Sequence, residues 1–155
     1  MRWLDYDTQN CSIRRTLEVI GRRWSLLILR EAFNGVRRFD QIRDHLEVSE
    51  ATLSRRLQDL VSFGVLEAAP YRDPGQRARH EYRLTDKGAD LYPVLMSLMT
   101  WGDQYVADEA GPPLEVTHRG CGQPARAEVR CAAGHLMESS SQGQTAPGPA
   151  ARSIS

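Results

Sequence analysis

Apolar and polar positions follow a helical period through most of the first hundred residues. Ile13, Leu17 and Ile20 recur at i, i+4 and i+7, which predicts a helix over residues 11–20 that Gly21 interrupts. Residues 25–33 (SLLILREAF) are apolar almost all the way round. They read as a buried central helix, entered after Trp24 and stopped at Asn34-Gly35. Phe39, Ile42 and Leu46 mark one face of a short helix over 39–46. After Glu47-Val48, Ser49 has the chemistry of an N-cap for a helix running to about residue 63. Glu50 in its first turn suits the helix dipole, Leu53, Leu57, Leu60 and Val61 face inward, and Gly64 closes it. Two strand-like runs follow, 65–71 and 80–84, around the charged loop 72–77 (RDPGQR), whose Pro-Gly marks a tight turn. From Thr85 a last long helix is expected to reach about residue 110. Its apolar face holds Leu91, Leu95, Leu98, Met99, Tyr105 and Val106, joined by Trp101, and Pro93 is a source of a kink.

These elements divide the 155 residues into an arm (1–10), a body (11–110), an appendage containing His and Cys (111–138) and a tail (139–155). The tail is rich in Ser, Gly, Pro, Gln and Ala, has no apolar period, and is expected to be disordered. There is no apolar leader and no run of eighteen apolar residues, so the expectation is a cytoplasmic protein without a membrane span. Three cysteines without a leader point to a reducing compartment rather than a disulfide framework.

The fold class expected is mainly α with a small β-hairpin wing. Two short helices joined by a tight turn and followed by a hairpin are the parts of a winged helix-turn-helix, whose second helix enters the major groove. The formal net charge is zero, but its distribution changes that picture. Residues 11–83 hold 14 Arg against 10 acids, whereas 84–117 hold one Lys against six. A basic body with an acidic last helix suits a DNA reader, although an excess this small also arises by ordinary fluctuation. With Leu53, Leu57 and Leu60 inward, Ala51, Thr52, Arg55 and Arg56 are expected on the exposed face, with Ser54 at its edge. Arg side chains there can donate bidentately to guanine or clamp phosphates. Arg38, Ser49 and the wing arginines Arg72, Arg77 and Arg79 complete the candidate DNA contacts. The competing reading of any one of these arginines is a solvated helix face.

The chain resembles the HxlR family of bacterial regulators, relatives of the MarR-type winged helices. The resemblance rests on Cys11-Ser12-Ile13, residues 21–30 (GRRWSLLILR), Arg38-Phe39, Leu53-Ser54-Arg55-Arg56-Leu57 and Gly64-Val65-Leu66. It continues through Tyr82-Arg83-Leu84-Thr85, Gly88, Pro93-Val94-Leu95 and Trp101-Gly102, and so covers nearly the whole body. It implies a homodimer on a pseudo-palindromic operator of double-stranded DNA, with repression as the usual output. It also implies pairing of the first and last helices of two subunits through Ile13, Leu17, Leu91, Leu95, Leu98, Trp101 and Tyr105. One departure stands out: Glu50 lies where the family usually has proline.

Cys11 matches the position of a responsive thiol in many members. The helix start and the nearby Arg14 and Arg15 favour a thiolate there, so Cys11 is a candidate redox sensor; the plainer role is interface packing. A small-molecule effector between Trp3, Trp24, Trp101 and Tyr105 is the alternative input, and core packing is the alternative for those aromatics. In the appendage, His118-x2-Cys121 and Cys131-x3-His135 have paired spacings that suit tetrahedral zinc; free thiols or a Cys121–Cys131 disulfide are the other readings. No nucleophile-base order, phosphate loop or paired-carboxylate helix points to an enzyme. A winged helix used only for protein contacts is the remaining rival.

Overall fold

The computed structural model describes residues 2–75 and 78–154, which fall into two compact units, 2–92 with 148–154, and 93–147. The first unit is the winged helix. After a 3-10 turn (Trp3–Asp5) come α1 (Ser12–Ile20), α2 (Arg23–Phe33), α3 (Phe39–Leu46) and α4 (Glu50–Ser62). A hairpin follows, β1 (Leu66–Tyr71) and β2 (Arg79–Leu84), and then a single turn, α5 (Asp86–Ala89). The strands are antiparallel with Leu66 opposite Leu84 and Tyr71 opposite Arg79. An isolated bridge between Arg38 and Glu81 ties the α2–α3 connection to the hairpin. Mostly helix with a two-stranded wing is the architecture expected from the sequence.

The core is built by α2 and α4. Ile28, Leu29, Leu53, Leu57 and Leu60 are fully buried, with Ile42 of α3 and Val65 and Leu66 at the wing's root closing over them. Burial of each such side chain is worth about 1.5–3 kcal/mol, so the helix that carries the candidate DNA face is anchored by three leucines on its other side. Local chemistry sets its ends. The Ser49 hydroxyl accepts from the Thr52 amide at 3.3 Å, and Gly64 takes φ +67°, which lets the chain leave α4 directly into β1. Glu47 takes φ +50° at the end of α3 and makes the tight turn of the helix-turn-helix. In α2 the stripe is narrower than a helix apolar all round would give. Glu31 is buried, its carboxylate held by Arg30 at 2.6 Å and by His45 Nδ1 of α3 at 2.6 Å.

Two expected boundaries move. The last helix is not continuous from Thr85: α5 ends at Ala89, and α6 runs Tyr92–Tyr105 and stops short of residue 110. Pro93 lacks an amide donor and its ring would clash with the carbonyl four residues back, so it sits at the second position of a new helix instead of kinking a long one. The Thr85 hydroxyl accepts from the Gly88 amide at 3.1 Å and donates to Gly64 O at 2.6 Å, pinning the hairpin's end to the end of α4. There Gly88 packs so tightly that a Cβ would overlap the Val65 carbonyl oxygen. Gly88→Ala is therefore expected to cost about 1–3 kcal/mol, read as a lower urea midpoint at unchanged slope.

Where composition predicts a disordered tail, residues 148–154 lie along the arm. Asp7 N donates to Arg152 O at 2.8 Å, Ile154 N to Asp5 O at 2.8 Å, and Asn10 Nδ2 to Ala150 O at 2.6 Å. Backbone pairing of this kind needs no apolar period, which is why composition gave no sign of it. In the second unit α6 is followed by two small hairpins and a 3-10 turn, Ser140–Gln142. Among the described residues no helix is long and apolar enough to cross a membrane.

Candidate nucleic-acid interface

The second helix of the helix-turn-helix, α4, presents its outer face through Ala51, Arg55 and Gln58, all exposed. These positions are spaced i, i+4 and i+7, opposite the buried leucine stripe. No hydrogen bond or ion pair joins Arg55 to any described residue, so its guanidinium is available in full. Gln58 was not among the sequence candidates. Its spacing of three from Arg55 could have marked it, and Gln is a side chain that reads adenine bidentately. Thr52 and Ser49 are half-committed: the Ser49 hydroxyl donates to Thr52 Oγ1 at 2.9 Å while capping the helix.

Arg56 corrects the expected placement. It is only 6% exposed and pairs with Asp59 at 2.8 Å. Arg56 lies three residues after Leu53 and four before Leu60, at the margin of the core stripe, so its stem is covered while its head finds a carboxylate one turn on. Arg38 is also engaged within the protein. It makes a two-pronged pair with Asp73 (3.2 and 3.1 Å) and stacks over the Tyr71 ring at 4.5 Å, bracing the wing loop. Arg72 is exposed in that loop, and Arg79 at the start of β2 lies 3.9 Å from Asp40. Arg77 lies outside the described residues. Gly75, with φ +76°, supplies the turn predicted from Pro-Gly.

Between the start of α4 and the wing lies an open cleft of about 400 Å³, lined by Asp40, Arg43, Glu50, Ser54, Arg79 and His80 over a floor of Phe39, Tyr71 and Tyr82. Arg43 donates to Asp44 at 2.7 Å and to Glu50 at 2.6 Å. Those two hydrogen bonds, Asp44's first, raise the Arg43 pKa further, and the Arg43 hydrogen bond lowers that of Asp44. Burial raises the Tyr82 phenol. Glu50 thus shares the Arg43 guanidinium with Asp44 rather than standing as a lone carboxylate.

A helix-turn-helix with a hairpin wing is a DNA-binding arrangement, and a family model described as HxlR-like helix-turn-helix matches residues 19–110. The chain belongs to the HxlR family. A transcriptional regulator of Mycobacterium tuberculosis H37Rv, Rv3095, of the helix-turn-helix type and otherwise uncharacterized, is 47% identical over 120 residues, covering 77% of this chain and 75% of that one. The crystal structure of PA1607, proposed as a transcription factor, superposes with a TM-score of 0.79 at 34% identity over 90% of this chain and 96% of its own. The reduced form of the regulator YodB from Bacillus subtilis matches at 25% identity and a TM-score of 0.54 over 63% of this chain and 97% of its own. This HxlR-family chain is a transcriptional regulator with a helix-turn-helix DNA-binding fold, which is not a class of enzyme.

The remaining candidates separate by unit. In the winged helix, Cys11 is a free, half-buried thiol at the N-cap of α1; its carbonyl accepts from Arg15 N at 3.0 Å while its sulfur makes no capping bond. Ile13 and Leu17 beside it are 71% and 57% exposed, and Leu91 is half-buried. Of the aromatics considered for an effector site, Trp3 is exposed and Trp24 is half-buried beneath the Arg23 guanidinium. On α6, Leu95 is half-buried, while Val94, Leu98, Trp101 and Tyr105 form one exposed apolar stripe, with the Trp101 and Tyr105 rings 5.4 Å apart. In the hairpins, His118 Nδ1 meets Cys121 Sγ at 3.2 Å and Cys131 Sγ meets His135 Nδ1 at 3.6 Å. No group of three or more potential metal ligands converges among the described residues.

Proposed function

We propose that this protein is a cytoplasmic homodimer that binds a pseudo-palindromic operator and represses the gene beside it, with thiol modification of Cys11 or a small ligand as the input. The observation that carries the DNA reading is Arg55, exposed and unpaired among the described residues at the middle of a recognition helix whose opposite face is locked into the core. In the bound state Arg55 and Gln58 reach base edges, Thr52 and Ala51 contact the backbone or a thymine methyl, and Arg72, Arg77 and Arg79 follow the flanking phosphates. Arg38 acts indirectly, by fixing the wing. The dimer reading is supported by the apolar side chains that α1 and α6 leave in water, which a second copy would cover.

For the input, Cys11 stands at the edge of the exposed Ile13–Leu17 face, so an adduct there would alter the seating of a partner helix. The description of YodB in a reduced form supports a redox input of this kind. The test is fluorescence anisotropy of the protein on its own upstream DNA, before and after mild oxidation. Oxidation is expected to weaken wild-type binding by at least ~tenfold and to leave Cys11→Ser unchanged. Equal loss in both proteins would remove Cys11 as the sensor.

A further inference from the structure

We propose that the segment after α6 is a zinc module in which His118 and Cys121 on one hairpin, and Cys131 and His135 on the next, close on a single tetrahedral ion. Each hairpin already holds half of such a site. Zinc with N at ~2.0–2.1 Å and S at ~2.3 Å sets neighbouring N and S ligands about 3.6 Å apart. The observed Nδ1–Sγ separations are 3.2 and 3.6 Å.

The backbone is shaped for these pairs. In the first hairpin His118 N donates to Gln123 O at 2.8 Å, and Gly122 N to His118 O at 2.7 Å, with Gly122 at φ +72°. In the second, Cys131 N donates to His135 O at 3.1 Å, and Gly134 N to Cys131 O at 2.8 Å, with Gly134 at φ +84°. Side chains rarely adopt either glycine's conformation; Gly122 directly follows the first ligand pair and Gly134 lies inside the second. Gly120 serves a different end: a Cβ there would sit 3.0 Å from the His118 ring and push it off Cys121.

No residue from 107 to 147 is buried, yet the segment holds two hairpins with paired feet. About forty residues without a core do not hold such turns by burial, and small domains of this size depend on a metal or a disulfide. A disulfide would use Cys121 and Cys131 but leave both histidines beside their sulfurs without a purpose. Zinc uses all four. The thiols of Cys121 and Cys131 release their protons to solvent as they bind, and the neutral imidazoles donate through Nδ1, so two thiolates balance the charge of the ion. Among the described residues no three of these ligands converge, so closing the site requires the connection 122–130 to bring the two halves together.

The experiment is metal analysis and cobalt titration of the full-length reduced protein. The expected result is about one zinc ion per chain, displaced by Co²⁺ with the visible bands of a tetrahedral site and thiolate-to-cobalt charge transfer. Cys121→Ser and Cys131→Ser should abolish those bands, His118→Ala and His135→Ala should weaken binding by more than ~tenfold, and Cys11→Ser should leave it unchanged. Zinc retained by the Cys121→Ser/Cys131→Ser double variant overturns the proposal. So does an octahedral cobalt spectrum, one zinc per two chains, or a Cys121–Cys131 disulfide in place of metal in the purified protein.

Discussion

Arg55→Ala is expected to lower affinity for the operator by about 1–3 kcal/mol in each half-site, a loss of roughly 5- to 150-fold per arginine. The side chain is exposed and has no partner among the described residues, so its removal breaks nothing inside the protein. Thermal stability should stay within about 0.5 kcal/mol of wild type. Arg56 is covered and paired to Asp59, so Arg56→Ala should instead reduce stability and affect DNA binding only through the fold. Anisotropy titrations and melting curves on the two variants read these opposite outcomes. If Arg55→Ala binds as wild type does, α4 does not read DNA through this residue.

Trp101→Asp is expected to convert the proposed dimer to a monomer and, with it, to lose most operator affinity. Val94, Leu98, Trp101 and Tyr105 lie along one side of a 14-residue helix, and Trp101 is 58% exposed, with the Tyr105 ring packed beside it. A large aromatic at the centre of such a stripe is the type of side chain whose loss costs an interface ~2 kcal/mol or more, and a buried carboxylate adds its own desolvation cost. Linking two half-site contacts in one particle raises avidity by roughly 10²- to 10⁴-fold, which a monomer forfeits. Sedimentation velocity gives the assembly state and anisotropy gives the affinity. A variant that remains dimeric places the interface elsewhere.

The helices of the winged domain were legible because each depends on short-range rules. The Ser49 cap, the leucine spacing of α4 and the glycine after it need no partner to be recognised, and the wing is announced by Pro74-Gly75 between two strand-like runs. What was not legible depends on side chains meeting from distant positions. Glu31 is buried because His45 comes from another helix and Arg30 folds back on it, and nothing in residues 25–33 marks that carboxylate as internal. Arg56 was misplaced because a position at the margin of a helical stripe turns inward or outward according to whether a carboxylate waits there. Arg38 looked like a phosphate contact by its charge, but its partners, Asp73 and Tyr71, lie more than thirty residues away in sequence. Pro93 reads as a kink within one long apolar face, although its missing donor suits the start of a helix better than its middle.

Glu50 shows how sequence and structure divide the work on one residue. The sequence marks it as an unusual acid at the entrance to the recognition helix. The structure supplies Arg43 at 2.6 Å, shared with Asp44, so the carboxylate at the mouth of the cleft is partly compensated.

Binding of duplex DNA by α4 and the wing is tested by the salt dependence of affinity. The titration uses a duplex from the gene's own upstream region and a scrambled duplex of the same composition. Log affinity is expected to fall linearly with log salt, by about 0.9 per phosphate neutralised, with the specific duplex bound more tightly throughout. Absence of binding to either duplex at low salt, or binding indifferent to salt, would contradict that expectation.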